Sequence, residues 1–239
     1  MLEQKVKIIY CGVGNEKLDL LAVNVGIHYG MQFPASRKPP FPVYFADQNW
    51  KKPDRDRYID WVSEYAPNMA TVIDIEREEQ IDEALDWGYR ISKYVENVVL
   101  IPKVNGIIKN LPRKINGKKV VLGYSIPTTH GGTTVPIGEF SEWDIHLLGG
   151  NPKKQIDMYD TMRQIGGNVT SLDCNYISMK ATNFCAVWTR KLIKNRQWMD
   201  LQDIIGRKVE DGIYTAFSLS CVSLVSAWHE KLEGLYYDI

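Results

Sequence analysis

Residues 168–176 read NVTSLDCNY. Gly166 and Gly167 turn the chain into this stretch, and Val169–Leu172 continues it as a short strand. The strand then ends on Asp173, followed by a cysteine, an asparagine and a tyrosine. A carboxylate at the end of a buried strand costs desolvation free energy, which capping or chemistry must offset. The stretch decides the fold because seven other runs share its form: Lys7–Tyr10, Leu21–Gly26, Pro42–Ala46, Thr71–Ile75, Val98–Pro102, Val120–Tyr124 and Asp144–Leu148. Each is short, rich in Val, Ile, Leu, Tyr or Phe, and bounded by turn residues. Continuous rather than alternating apolarity fits strands covered on both faces, as in parallel sheets.

Helical patterns separate several of these runs. Asp54–Ala66 follows Pro53, carries Tyr58, Trp61, Val62 and Tyr65 on one face, and stops at Pro67. Glu76–Val95 is acidic at its start and places Ile81, Leu85 and Tyr89 at helical spacing. A third pattern has Asn151 as its cap, Pro152 inside it and Gly166-Gly167 as its stop. Alternating strands and helices predict a parallel α/β fold. Eight strands in 239 residues favour a compact TIM-like (β/α)8 barrel, with an open doubly wound sheet as the alternative. No GxGxxG or Walker-type loop follows any strand, so the nucleotide-cofactor version of the open sheet lacks support. The expectation is one barrel domain over residues 1–239. Its catalytic strand ends span about 43–181, a helical region spans about 182–239, and Gly26–Pro42 is an irregular arm or pocket wall.

Composition is that of a soluble globular protein, 44% hydrophobic and 24% charged. No N-terminal stretch has the order of a signal peptide. Ile213–Trp228 is interrupted by four serines, is short for a membrane span, and reads as a buried C-terminal helix. Four widely separated cysteines argue against a zinc site or a disulfide scaffold. Cytoplasm is the expected compartment, the host's if a phage encodes the chain. Formal net charge is zero, yet two runs lack acids altogether. One, from Asn97 to Gly138, holds Lys103, Lys109, Arg113, Lys114, Lys118 and Lys119; the other, from Cys174 to Met199, holds Lys180, Arg190, Lys191, Lys194 and Arg196. A solvated charged face or a nucleic-acid surface would both produce them.

In a β/α barrel, function gathers at the C-terminal ends of the strands. Those ends carry Asp47 with Gln48 and Asn49, then Asp74, Lys103 with Asn105, Ser125, Gly149-Gly150-Asn151, and Asp173. Helix capping or loop solvation explains each one singly. Three carboxylates meeting at one mouth would raise one another's pKa, and such pairs are how enzymes divide nucleophilic and acid/base roles. Gly149 and Gly150 lack Cβ atoms and would let backbone N–H groups approach a ligand, or simply form a turn. His130 lies in a long Thr- and Gly-rich segment, 126–140, that reads as a lid or substrate loop, with a plain surface loop as the alternative.

The ordered set FADQNW (45–50), VIDIE (72–76), LIPKVNG (100–106), LGYS (122–125), HLLGGNP (146–152) and SLDCNY (171–176) resembles the tRNA-guanine transglycosylase superfamily. It is most similar to the small phage proteins of that superfamily that insert 7-deazaguanines into DNA. The resemblance spans roughly Val43 to Ala181. It implies a β/α barrel and a base exchange at the sugar C1′ of a guanosine. It implies Asp173 as the nucleophile, Asp47 as the proton-transfer acid, Asp74 as reader of the guanine edge, and Gly149 and Gly150 beside the base. Lys103, where the family often has a base-reading glutamine, Ser125 and Asn151 complete the implied substrate set. The family's cysteine-rich zinc subdomain has no counterpart after Asp173, which turns the expectation from tRNA towards DNA. The expected partners are guanine-containing DNA and a free 7-deazaguanine such as 7-cyano-7-deazaguanine. No cofactor, metal or membrane is expected, and a homodimer is the candidate assembly. Lys109, Arg113, Lys114, Lys118, Lys119, Arg190, Lys191, Lys194 and Arg196 would hold DNA phosphates, with Trp50, Tyr176 and Trp188 as candidates to stack on a base. The same exchange on tRNA, a silent nucleic-acid-binding barrel and an unrelated sugar hydrolase are the competing readings.

Overall fold

A computed structural model describes residues 6–128, 131–193 and 196–234. The chain runs β1 (Lys7–Cys11), α1 (Glu16–Asn24), β2 (His28–Phe33), β3 (Phe45–Gln48), α2 (Arg55–Tyr65), β4 (Met69–Ile75) and α3 (Ile81–Ile91). It continues through β5 (Asn97–Pro102), β6 (Lys114–Ile115), β7 (Lys118–Ser125), β8 (Asp144–Leu148), α4 (Pro152–Gln164) and β9 (Asn168–Asp173). After these come α5 (Tyr176–Phe184), β10 (Ala186–Ile193), β11 (Arg196–Asp200), α6 (Leu201–Ile205) and α7 (Gly212–Leu232). Strands β1, β2, β3, β4, β5, β7, β8 and β9 pair in that order, all parallel, and β9 pairs back onto β1. The result is a compact TIM-like barrel with flanking helices. The two-residue β6 only adds an antiparallel edge to the start of β7.

The barrel is filled, not hollow. Ile9, Cys11, Phe45, Met69, Val99, Ile101 and Val121 form one buried interior cluster, separate from the larger core between the strands and the outer helices. Gly123 sits among them, and a Cβ there would stand 2.8 Å from the side chains of Ile101 and Leu148. Such a layered interior leaves only the ends of the barrel for ligands.

Helix boundaries follow local chemistry. Asp54 caps α2, accepting from the Arg57 N–H at 3.3 Å, so neither Asp47 nor Asp74 serves as the cap of a following helix. Asn151 caps α4 with Pro152 in its first turn, and the chain leaves at Gly166. The expected helix over 76–95 is shorter: a 3-10 turn at Glu78–Gln80 leads into α3.

Two expectations are corrected. Leu21–Gly26 is not a strand but the end of α1, and the second barrel strand, β2, lies inside the supposed irregular arm 26–42. The reason is the Asn15 carboxamide, which accepts from the N–H groups of Lys17 and Leu18 at 3.1 and 3.3 Å and starts a helix ahead of the apolar run. The region after residue 182 is likewise not wholly helical, because β10 and β11 form an antiparallel hairpin before α6 and α7. Trp188 of that hairpin is fully buried, and its N–H donates to Ser220 Oγ of α7 at 2.9 Å. Helix α7 is buried along one side as expected, with the Phe217 ring centroid 5.1 Å from that of Tyr10 in β1. Full burial of one such ring contributes about 1.5–3 kcal/mol.

Asn15→Ala should lower unfolding stability by about 1 kcal/mol, as loss of a helix cap does, whereas Asn15→Asp should retain most of it. Urea denaturation of both variants measures this, and an Asn15→Ala midpoint equal to that of the unsubstituted protein would mean that the 16–24 helix is not anchored there.

Candidate active site at the barrel mouth

All eight parallel strands point one way, so their last residues share one rim. Pairing holds those ends level: Gln32 stands opposite Asp47, Asp74 opposite Ile101, Ser125 opposite Leu148, and Ile9 opposite Asp173. The structure therefore brings Asp47, Asp74, Lys103, Ser125, Gly149 and Asp173 to a single mouth.

Asp173 is held from several directions. Its Oδ1 accepts the Gly149 N–H at 3.1 Å and lies 3.5 Å from His146 Nε2. The imidazole of His146 is fully buried beneath it, with Nδ1 2.8 Å from Ser171 Oγ and the ring 4.6 Å from that of Phe45. Gln155, also fully buried, donates from Nε2 to the carbonyls of Gly149 (2.9 Å) and Asp173 (2.6 Å). One carboxamide thus ties the end of β8 to the end of β9. The carboxylate itself keeps 13% exposure. Gly149 has φ +67°, a left-handed conformation that glycine adopts without strain, and this conformation aims its N–H at Asp173 rather than at open space.

Asp47 lives in a different environment. Thr71 Oγ1 donates to its Oδ1 at 3.1 Å while accepting the Gln48 N–H at 2.8 Å. Burial pushes the Asp47 carboxyl up to about 7, the negative field of Asp173 adds to this, and the Thr71 hydrogen bond only partly offsets it. The effect of Asp173 on Asp47 agrees with the two strand ends sharing one rim. Cys11 closes β1, the strand next to β9: burial and the fields of Asp173 and Asp47 together raise its thiol pKa. Burial likewise pushes the Cys174 thiol up to about 12. Both cysteines are therefore poor thiolate nucleophiles at neutral pH.

Asp74 is not a free edge reader. Its Oδ2 is 2.5 Å from Lys103 Nζ, which also lies 3.8 Å from Glu76 Oε1. Burial raises the Asp74 pKa and the lysine counters it. Asn151 is corrected as well: its Oδ1 accepts the Lys154 N–H at 2.9 Å, so the side chain is committed to the cap of α4. Gly150, at φ +82°, packs against Ile126, where a Cβ would come within 3.0 Å. Ser125 sits at the rim beside the segment that follows it. That segment is pinned there, because the Thr133 N–H donates to the Ser125 carbonyl and Thr133 and Thr134 donate to the carbonyls of Pro102 and Lys103. His130 lies outside the described residues.

The basic residues do not gather at this mouth. Lys118 and Lys119 begin β7, and Lys114 pairs with Lys119, which places all three at the opposite end of the barrel. There Lys118 pairs with Glu96 at 3.1 Å, Lys119 with Asp144, and Arg113 donates to the Glu142 carbonyl while stacking 3.6 Å over Trp143. Lys109 is exposed on a 3-10 turn between β5 and β6. Arg190 pairs with Glu230 near the end of α7. That end lies beside the third turn of α4, far from the mouth, through Lys231 and Asp160 at 2.5 Å. Lys191 and Arg196 are exposed near the hairpin tip, and Lys194 lies outside the described residues. The expected phosphate footprint is therefore corrected for Lys114, Lys118 and Lys119, which strand direction sends to the opposite end, and for Arg190, which Glu230 holds. Of the stacking candidates, Trp188 is core and Tyr176 packs edge-on against Trp198 at 5.6 Å. Trp50 alone is exposed, at 60%.

His146, Gln155 and Thr71 escaped sequence reading. Each is a buried polar residue whose partner is distant in the chain, so no local pattern marks it. Among the described residues, no group of three or more His, Cys, Asp or Glu side chains is placed to hold a metal ion, and no helix is long and apolar enough to cross a membrane. A family model described as a family of unknown function (DUF6610) matches residues 21–228, nearly the whole barrel. No curated protein and no solved structure matches the chain.

An Asp47 carboxyl that titrates near pH 7 in the folded protein, against about 4 in the unfolded chain, makes folding take up a proton between those values. Stability should therefore fall as pH rises from about 4 to about 7 and level off above that. Asp47→Asn should flatten this part of the profile and be the more stable protein at pH 8, by about 4 kcal/mol at most. Urea midpoints measured from pH 4 to 8 test this; parallel profiles for the two proteins would remove the buried proton.

Proposed function

The chain belongs to the DUF6610 family, and we propose that it is a DNA-guanine transglycosylase, a pentosyltransferase that exchanges guanine in DNA for a 7-deazaguanine. The observation that carries this reading is the meeting of Asp47 and Asp173 at one barrel mouth in unlike environments. Resemblance to the transglycosylase motifs supports the choice of reaction, and the unlike surroundings of the two carboxyls on one rim support its mechanism.

Breaking an N-glycosidic bond builds positive charge on the sugar, which a carboxylate below C1′ stabilises and can capture. In the first half-reaction Asp173 attacks C1′, the bond from C1′ to guanine N9 breaks, and the departing guanine takes the proton of neutral Asp47. The enzyme is left with an aspartyl-deoxyribose ester and an Asp47 carboxylate. In the second half, the ring N–H of the 7-deazaguanine gives its proton to Asp47, its nitrogen attacks C1′, and Asp173 is released. Proton and bond inventories return to their starting state, so no cofactor is needed. A carboxyl poised near neutrality is matched to both transfers. The Gly149 N–H, the Gln155 clamp and buried His146 hold Asp173 in one orientation, which is worth more to a displacement than proximity alone. Asp74 has an oxygen left over from its ion pair with Lys103 to accept from a guanine edge.

Incubation with labelled 7-deazaguanine or guanine, offered with single-stranded DNA, duplex DNA and tRNA in separate reactions, tests this reading. Label should enter DNA, and Asp173→Ala and Asp173→Asn should abolish incorporation. Asp47→Asn should slow it by roughly 10²- to 10⁴-fold. Exchange that survives in either Asp173 variant would end the proposal. Release of guanine without incorporation would instead mark a hydrolase, and labelled tRNA with unlabelled DNA would move the substrate to RNA.

A further inference from the structure

With Lys114, Lys118 and Lys119 at the opposite end of the barrel, how the proposed enzyme would hold its strand is a separate question. The turn directly after Asp47 is suited to that task. Residues 49–53 read NWKKP, and at most about 11 Å of chain separates Asp47 from Trp50. Of the seven tryptophans, Trp50 alone is exposed; Trp87, Trp143, Trp188 and Trp228 are buried and Trp61 and Trp198 half-buried. The turn is ordered, with Asn49 Oδ1 accepting the Lys51 and Lys52 N–H groups at 3.2 and 3.3 Å. Lys51 Nζ stands 5.2 Å from the Trp50 ring centroid. Neither Lys51 nor Lys52 has a carboxylate partner among the described residues, unlike Lys118 and Lys119 at the far end. Beside the turn opens a cavity of about 860 Å³ of mixed charge, lined by Lys52, Arg55 and Arg57 and by the carboxylates Asp54, Asp56 and Glu83.

We propose that the Asn49–Lys52 turn is a nucleotide-docking element: Trp50 stacks on a base next to the reacting nucleotide, and Lys51 and Lys52 hold the adjoining phosphates. This rests on the base-exchange reading for what lies between Asp47 and Asp173. The ligand class is unpaired DNA. A base inside a duplex has both faces covered by its neighbours, so an exposed indole at the rim can stack only on one already splayed out. Two lysines directly after that indole, without carboxylate partners among the described residues, supply charge where the backbone would pass. The apposition of one exposed aromatic ring and unpartnered ammonium groups is the pattern by which single strands are held with little sequence preference.

Binding of a short single-stranded DNA containing one guanine flanked by 2-aminopurine, titrated into the full chain carrying Asp173→Asn to prevent turnover, tests the proposal. Trp50→Ala should weaken binding about tenfold or more, and Trp50→Phe should restore most of it. Lys51→Glu with Lys52→Glu should reduce the steepness of the salt dependence by about one to two, and Lys118→Glu with Lys119→Glu should leave affinity and slope unchanged. Equal affinity of the Trp50→Ala variant, absence of binding by the parent protein, or tighter binding to RNA of the same sequence would overturn it. Exchange measured in parallel on the chain with Asp173 intact separates the two ideas. Binding that depends on Trp50 without any exchange sinks the reaction and keeps the docking turn, whereas exchange indifferent to Trp50→Ala does the reverse.

Discussion

Closure of eight parallel strands at a common register is the constraint on which the rest of the molecule depends. Side chains along a strand alternate between the two faces, so in a closed barrel alternate residues must point inward. The interior is already occupied by Ile9, Phe45, Met69, Val99, Ile101 and Val121, with His146 and Ser171 among them. A polar residue at a strand's end cannot retreat into that packing and has only the rim to occupy. Level pairing of Asp47 with Gln32 and of Asp173 with Ile9 then fixes which residues share the rim. The convergence of carboxylates is a consequence of topology, and Gln155 secures it where β8 and β9 end.

Carboxylates forced together must differ if they are to coexist at neutral pH. Asp173 receives a backbone N–H and keeps some contact with water. Asp74 is neutralised by Lys103. Asp47 has no cation partner among the described residues, and its hydrogen bonds from Thr71 and the Gln48 backbone do not offset its burial, so its carboxyl is pushed up to about 7. Division of roles thus follows from who has which neighbour.

Much of this was legible in the sequence, for physical reasons that can be named. Strand β9 and its terminal Asp173 were readable because a short β-rich run leaves the Gly166-Gly167 turn and closes on an aspartate, and β5, β7 and β8 are short runs rich in Val, Ile and Leu. The first turn of the barrel was not. LLAVNVG looks like a strand by composition, yet Asn15 starts a helix six residues earlier, and β2, reading HYGMQF, is diluted by a glycine and a glutamine. The hairpin of β10 and β11 was hidden in the same way, since its burial depends on Ser220 and the rest of α7 rather than on its own pattern. The supports of Asp173 were illegible in principle. Gln155 reaches it from 18 residues away and His146 from within another strand, and a buried hydrogen bond leaves no trace in local periodicity.

The basic runs were misjudged for a different reason, one that the sequence could have exposed. A run of lysines states a sign of charge but no position. In a parallel barrel, position follows from where in a strand a residue falls, because beginnings share one face and ends share the other. Lys118 and Lys119 open β7, so they could never stand beside residues that close β3 and β9. Their neighbours confirm the cost of that assumption: Glu96 and Asp144 also precede or open their strands, and the four charges neutralise one another at the base. Applied to the whole chain, the same rule selects cations that follow strand ends. Lys103 after β5 and the Lys51–Lys52 pair after β3 are among those that meet it; Lys103 is held by Asp74, whereas Lys51 and Lys52 have no carboxylate partner among the described residues and stand next to an exposed indole. On this fold, charge that can meet a ligand at the rim therefore belongs to the strand-to-helix turns, and in this chain Lys51 and Lys52, four and five residues beyond Asp47, are such charges.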